Sequence, residues 1–483
     1  MDERAIRGVP WTLAAYGANK AGTLATTVTL AHFLDPGDFG LMALAGLVVT
    51  LLTVLGNSGL SNTLVLEQDL TERGKGTILT VMIVGGCTLA ALGVALSPLV
   101  AAVFDQPELT AIVAALSVTV VLWMVGHFYE ALLQRELEFR SRFLAHLAFG
   151  LAFALAGLVF AVLGAGVWSL VAAQSAAILA FALVGVALAP GRVRPAFDPA
   201  AARAVYRPSR NFLIQGLVAF GLENADYFAI GRALGVRQVG FYSLAYRLGE
   251  LPSMAIADPV ARVTFSAFAR MRHRGEDVIP AYLDALRLVS LVACPLGILL
   301  SATADPFTRA VFGDEWLPMI GPLGVLGLWA AVRPVQVTVH WLLNSAGGHG
   351  LLAVIGVVSL AVLVPVLLAA AAVSGATAVA WVMLGHACVS AGWAAWAVRR
   401  QVGLAFGRHL LPLRALALAC AAAWIVARVL VEVSDGAAPG FSLLLAACGG
   451  TVAYLCVLRL VEPPVLGNAV RQVRRMAGRP AAL

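Results

Sequence analysis

Charged residues stand inside long apolar stretches of this chain, and their spacing is helical. Arg247, Glu250, Asp258 and Arg262 are separated by 3, 8 and 4 residues. At about 100° per residue they fall within roughly 120° of arc. Along a helix they would form a polar stripe about 22 Å long, with Pro252 and Pro259 expected to bend or break it. Gln215, Glu223 and Asp226 share a second face, and Arg333, Gln336, His340 and Asn344 step along a third beside Pro334. Tyr16, Asn19, Lys20, Thr23 and Thr27 make a fourth, while His127, Glu130 and Gln134 mark one end of another apolar run. Lys20, Arg247, Arg262 and Arg333 could hold an anion. Glu223, Asp226, Glu250, Asp258 and His340 could carry a proton or accept a cation. The plainer reading is that all of them pair with one another between helices. Four stripes exceed what packing needs and predict a hydrated internal cavity.

Other chemistries find no residues. There is no glycine-rich phosphate loop with lysine, no HExxH and no Cys/His cluster. The segment Gly347-Gly348-His349-Gly350 reads as a turn between helices. Cys87, Cys294, Cys388, Cys420, Cys448 and Cys456 all lie in apolar runs without a CxxC pair, as small buried hydrophobes do. No metal, no cofactor and no enzymatic activity is expected. The formal net charge of +7 does not indicate a nucleic-acid partner, because the basic residues sit in short clusters between apolar runs.

The elements that position these residues follow from composition. The chain has 483 residues, 60% of them hydrophobic and only 12% charged, against roughly 25% charged in soluble domains. Lipid must be its solvent. A span needs about 20 apolar residues, and such runs cover 9–33, 38–62, 76–104, 109–133, 143–163, 166–189, 211–233, 238–268, 282–312, 317–345, 350–373, 375–398, 410–432 and 440–460. The fold class is therefore all-α, a polytopic membrane protein with about 14 transmembrane helices. The first run follows Arg4 and Arg7 without a small-residue cleavage site and is read as a retained helix. Arg287, Arg309 and Arg459 stand near span ends, where they can snorkel; Arg428, in the thirteenth span, is given no acidic partner and no role.

The chain also repeats itself. Leu34, Gly40, Leu44 and Ala45 recur as Leu234, Gly240, Leu244 and Ala245 at a constant offset, each set joining the first helix of a six-helix group to its second. Both copies begin loops on the same side, so the repeat is parallel, with a pseudo-two-fold axis along the membrane normal. The expected organisation is a six-helix bundle (1–190), a cytoplasmic linker (191–210), a second six-helix bundle (211–400), two further helices (401–460) and a basic tail (461–483).

Three segments carry a family resemblance: Ala131–Phe143, Asn224–Pro252, and the stretch from Arg7 to the turn at Leu34–Gly40. With them the chain resembles the polysaccharide transporters of the multidrug/oligosaccharidyl-lipid/polysaccharide flippase superfamily. It is similar to the lipopolysaccharide and exopolysaccharide flippases that include colanic-acid and teichuronic-acid exporters. The resemblance spans about residues 5–460 and implies 12 to 14 helices, two six-helix bundles and a cationic cavity. It implies export of undecaprenyl-diphosphate-linked oligosaccharide across the bacterial inner membrane, with membrane lipid, a polysaccharide polymerase and glycosyltransferases as partners. Arginines in water could grip the diphosphate through charge-assisted, bidentate hydrogen bonds while the polyprenyl tail stays in lipid. Two alternatives stay open: a cation-coupled multidrug exporter of the same superfamily, and a non-transport membrane component of a polysaccharide assembly complex.

With the N-terminus in the cytoplasm, the inside segments hold 23 Lys and Arg residues and the outside loops only Arg232 and Arg237. The positive-inside rule then puts both termini in the cytoplasm. A single cysteine placed in the 399–414 loop should react with an impermeant maleimide only after the cytoplasmic face is opened. Labelling from outside in intact cells would overturn this topology.

Overall fold

The computed structural model describes residues 22–57, 59–66, 70–191, 193–254, 260, 268, 271, 274, 276–345 and 349–463. Among these residues the chain is helical and no strand forms. In hydrocarbon a backbone N–H or C=O finds no water, so every crossing must satisfy its hydrogen bonds within itself.

Helix α1 covers residues 22–30 of the described chain. It is followed by α2 (Pro36–Asn57), α3 (Leu60–Leu66), α4 (Glu72–Phe104), α5 (Glu108–Arg135), α6 (Phe139–Val162), α7 (Val167–Leu188), α8 (Pro199–Leu234) and α9 (Val236–Pro252). Then come α10 (Ile279–Ala302), α11 (Ala304–Val311), α12 (Ile320–Ser345), α13 (His349–Val402), α14 (Phe406–Leu410), α15 (Arg414–Val433) and α16 (Pro439–Val461). Ten stretches among the described residues are long and apolar enough to cross a membrane. One of them, Val354–Val402, has 49 residues, or roughly 75 Å of helix against a hydrocarbon core of about 30 Å. It is two crossings divided at Gly375, whose φ of 77° and ψ of −171° only glycine adopts without strain. With α1, α8 and α9 added, the count agrees with the expected total of about 14.

Most helix ends lie within a few residues of the expected spans. Two differ. The expected span 38–62 stops at Asn57, and the short α3 follows. The expected span 282–312 breaks at Thr303 into α10 and α11. Pro306 explains that break: it has no N–H to give to the carbonyl of Ala302, so a continuous helix through this point would lose a hydrogen bond.

By packing, the chain forms two units. Unit 1 is Met1–Ser243 with Leu367–Val373, and unit 2 is Leu244–Val366 with Ser374–Leu483. In unit 1, α4 pairs with α5, α6 with α7, and α5 also packs on α2 and α7. Leu52, Leu79, Met82, Met124 and Phe128 fill the core between α2, α4 and α5. In unit 2, α10 packs on α12 and α15, and α15 pairs with α16. Tyr282, Leu286, Val339, Leu342, Ala394 and Val398 form one of its cores.

The repeated residues meet in space. Asp35 Oδ1 accepts hydrogen bonds from the N–H groups of Gly37 (2.5 Å) and Asp38 (3.1 Å), which opens α2 tightly after the turn. A Cβ on Gly40 would fall on the carbonyl oxygen of Val236, and a Cβ on Gly240 on that of Pro36. The contact is reciprocal, as a two-fold axis between the two turns requires. Gly40, Gly240, Leu44, Leu244, Ala45 and Ala245 are all buried. The repeat therefore records a packing constraint, with two backbones approaching where no side chain fits.

Gly40→Ala and Gly240→Ala should each destabilise the protein by at least about 1–3 kcal/mol, because backbone cannot yield as a side chain can. Gly85 of α4 has nothing within 4 Å of its Cβ position, so Gly85→Ala should be neutral or gain up to about 1 kcal/mol from helix propensity. Thermal unfolding in detergent compares the three. Equal stability of all three variants would show that the crossing is not tight.

Candidate functional site

Three of the polar groups among the described spans hold the candidate residues, and each joins different helices. The first is in unit 1. Glu130 of α5 receives Arg142 at 2.9 Å and His146 at 3.1 Å, both from α6, on the same carboxylate oxygen. The side chains of Glu130 and Arg142 are each 18% exposed. His127, one turn before Glu130, stacks on Trp123 at 4.4 Å between ring centres and places Nδ1 3.0 Å from the Trp123 carbonyl. Phe149 and Phe181 close around these rings. Each charge in a span costs at least about 2.5 kcal/mol, and here the acid and the guanidinium neutralise one another.

The second group is also in unit 1. Asp226 of α8 is completely buried. Its Oδ2 accepts the hydroxyl of Tyr242 at 2.8 Å, and Oδ1 lies 2.8 Å from the backbone N–H of Tyr227. The rings of Tyr227 and Tyr242 meet edge to face at 5.8 Å.

The third group is in unit 2. Arg333 of α12 pairs with Glu250 of α9 at 3.4 Å, and both side chains are 20% exposed. The guanidinium lies over the ring of Trp329, 4.9 Å from its centre, and Tyr246 packs on the same indole at 5.1 Å. Farther along α12, Gln336 Nε2 donates to Ser390 Oγ of α13 at 2.9 Å, and Ser390 Oγ lies 3.4 Å from His340 Nε2.

The expected site residues thus divide. Glu250 and Arg333 pair in unit 2, His340 meets Ser390 two turns farther along α12, and Arg247 is exposed one turn from Glu250 on α9. Asp226 is buried while Glu223 and Gln215, expected on its face, are exposed. Lys20, Asp258, Pro259 and Arg262 lie outside the described residues. The α-helical part of α9 closes at Pro252, and residues 253–254 continue as π-helix. Arg428 is corrected: its partner is Glu432, one turn on in α15, at 3.5 Å. Arg287 and Arg309, placed at span ends, also have acids: Glu462 at 2.6 Å, and Asp305 and Asp314 at 3.1 and 3.5 Å.

Sequence reasoning missed Ser390, Tyr242, His146 and the pairing role of Arg142. A hydroxyl in an apolar helix gives no signal of its own. Arg142 reads as a loop charge until the α5–α6 hairpin folds it back beside Glu130.

These polar groups sit in a known fold. Residues 29–321 match the family described as polysaccharide biosynthesis protein. The chain belongs to that family. It is 26% identical to the succinoglycan biosynthesis transport protein ExoT of Rhizobium meliloti (strain 1021), over 98% of this chain and 97% of that one. It is 25% identical to the lipopolysaccharide biosynthesis protein WzxC of Escherichia coli (strain K12), over 68% of each chain. Among solved structures, the lipid II flippase MurJ in an inward closed conformation superposes with a TM-score of 0.75. The sequence identity is 12%, and the match covers 94% of this chain and 99% of MurJ; it shows a shared fold.

The first polar group in this family member reads as a structural clamp. Glu130→Gln should leave the Arg142 guanidinium without its counter-charge and destabilise the protein by about 3 kcal/mol, as broken buried pairs do. The more exposed Arg309–Asp305 pair should cost under about 1 kcal/mol in Asp305→Asn. Thermal unfolding of both variants would contradict the clamp if their losses were equal.

Proposed function

We propose that this protein is a flippase that moves undecaprenyl-diphosphate-linked oligosaccharide, an exopolysaccharide or lipopolysaccharide repeat unit, to the outer leaflet of the bacterial inner membrane by alternating access. Both termini face the cytoplasm, and glycosyltransferases and a polysaccharide polymerase act before and after it. The family match and the transport and biosynthesis names of the relatives support this reading. The observation that carries it is the Arg333–Glu250 pair on Trp329.

The diphosphate is the part of the cargo that lipid rejects most strongly. A guanidinium can meet it with two parallel hydrogen bonds, and in the structure it meets the Glu250 carboxylate at 3.4 Å. Trp329 holds the guanidinium plane from one face. Glu250 is then a resting partner: it neutralises Arg333 without cargo and is displaced when the diphosphate arrives. Arg247, Lys20 and Arg262 add positive charge for the same anion. Glu223, Asp226, Glu250, Asp258 and His340 are the groups that answer a coupling ion, as alternating access requires differential binding in its two states.

Arg333→Ala should lower transport roughly 10- to 100-fold, the loss of a charged hydrogen-bond pair worth about 1.5–3 kcal/mol. Arg333→Lys should keep part of it. The assay is surface polysaccharide in a host whose own copy is deleted, read with the cytoplasmic-leaflet pool of lipid-linked oligosaccharide. Polymer lost and pool raised supports the reading. Normal polymer with Arg333→Ala protein present in the membrane would remove Arg333 from the transport path. A deletion strain with unchanged polymer and unchanged pool would sink the flippase assignment itself.

A further inference from the structure

Pro295 stands inside α10. It has no N–H to give to the Leu291 carbonyl one turn back, so in hydrocarbon that oxygen lacks its helical donor. The donor comes from another helix. The Tyr454 hydroxyl of α16 gives its hydrogen to the Leu291 carbonyl at 2.8 Å. Tyr454 is 5% exposed and lies in an apolar cluster with Leu291, Ala419, Cys420, Ala423 and Leu458, where the ring of a phenylalanine would pack as well. Helix α4 meets the same problem within itself: Pro98 frees the Val94 carbonyl, and Ser97 Oγ donates to it at 2.8 Å. Helix α10 instead depends on a residue 163 positions away.

The path of α10 at this proline reaches α12 directly. Cys294 Sγ donates to the Ala331 carbonyl at 3.2 Å. A Cβ on Gly297 would lie 2.7 Å from the Ala331 nitrogen and from the Gly327 carbonyl oxygen, and one on Gly327 would lie 2.5 Å from the Ser301 nitrogen. The two backbones touch with no side chain between them to absorb a shift. Trp329 stands inside this contact and Arg333 just beyond Ala331, with the guanidinium over the indole. The hairpin of α15 and α16 is pinned to α10 on both sides of Leu291, by Arg287 with Glu462 at 2.6 Å and by Trp424 Nε1 with Ser301 Oγ at 3.4 Å.

We propose that Tyr454 is a positioning residue of the transport site: its hydroxyl stands in for the N–H that Pro295 lacks and fixes the bend of α10, which sets where α12 holds Arg333. The inference rests on the reading of Arg333 as the diphosphate ligand. Without the hydroxyl, the Leu291 carbonyl has to turn toward another donor, and α10 changes its bend at Pro295. The α12 backbone at Gly327–Ala331 moves with it, because the two chains are in contact there. The guanidinium then meets the diphosphate out of line, and paired hydrogen bonds tolerate little displacement. The two helices beyond the six-helix groups thus belong to the frame of the site, although the ligand itself stands on α12.

The test uses purified full-length protein in detergent, with undecaprenyl diphosphate as the probe. The rise of the melting temperature with probe concentration gives its affinity. Wild type is compared with Tyr454→Phe, Pro295→Ala, the two combined, Ser97→Ala and Arg333→Ala. Tyr454→Phe should weaken probe binding about 3- to 10-fold, the worth of one ordinary hydrogen bond. Pro295→Ala restores an N–H for the Leu291 carbonyl, so adding Tyr454→Phe to it should change the affinity by less than about twofold. Ser97→Ala should lower the melting temperature and leave the affinity as it is. Unchanged affinity in Tyr454→Phe overturns the positioning role. So does an equal loss of affinity in Ser97→Ala, or an effect of Tyr454→Phe that is the same with and without Pro295. Where Pro295→Ala protein does not accumulate, the comparison of Tyr454→Phe with Ser97→Ala decides by itself. Equal affinity of wild type and Arg333→Ala overturns the diphosphate reading of Arg333, and the positioning role with it.

Discussion

A charge in hydrocarbon has to be met by another polar group, and for three buried or half-buried acids of this protein the partner comes from a different helix. Glu130 is met by Arg142 and His146, Asp226 by the Tyr242 hydroxyl, and Glu250 by Arg333. The three solutions differ in how easily they come apart. Glu130 is held by two groups inside a wall of aromatic rings. Asp226 is sealed completely. Glu250 and Arg333 meet at the longer distance of 3.4 Å and remain one-fifth exposed. The last arrangement suits exchange with a charged cargo, and the first suits holding two helices together.

Symmetry serves the scaffold and not the chemistry. Pro36 and Gly40 face Val236 and Gly240 reciprocally, and the matching Leu and Ala pairs are buried. The same offset places Leu47 and Thr50 where Arg247 and Glu250 stand. Close backbone approach constrains both copies alike, since each glycine must accommodate a carbonyl at the start of the other turn. Anion recognition needs one set of charges only. A second set in the matching helix would add insertion cost without adding a partner.

The helix breaks follow the same local logic. Gly375 turns α13 back because its left-handed backbone costs nothing without a Cβ, and Pro306 ends the path of α10 because it cannot donate to Ala302. These breaks place α12 and the second half of α13 side by side, so that Gln336 and His340 share Ser390 between them.

The all-α membrane class, most of the described helix ends and the internal repeat were legible in the sequence. Each depends on local quantities: apolar run length, glycine and proline at turns, and identities at a constant offset. The acids and bases of the stripes were legible as candidates for the same reason, since a charge in an apolar run is conspicuous. What the tertiary structure alone decided was pairing. Helical spacing places Glu250 and Arg333 on faces but does not say that those faces meet across 83 residues of chain. It separates Glu223 from Asp226 no better, although one is exposed and the other sealed. Ser390 and Tyr242 carried no signal, because a single polar atom in an apolar helix acquires meaning only from the group that folding brings within hydrogen-bond reach.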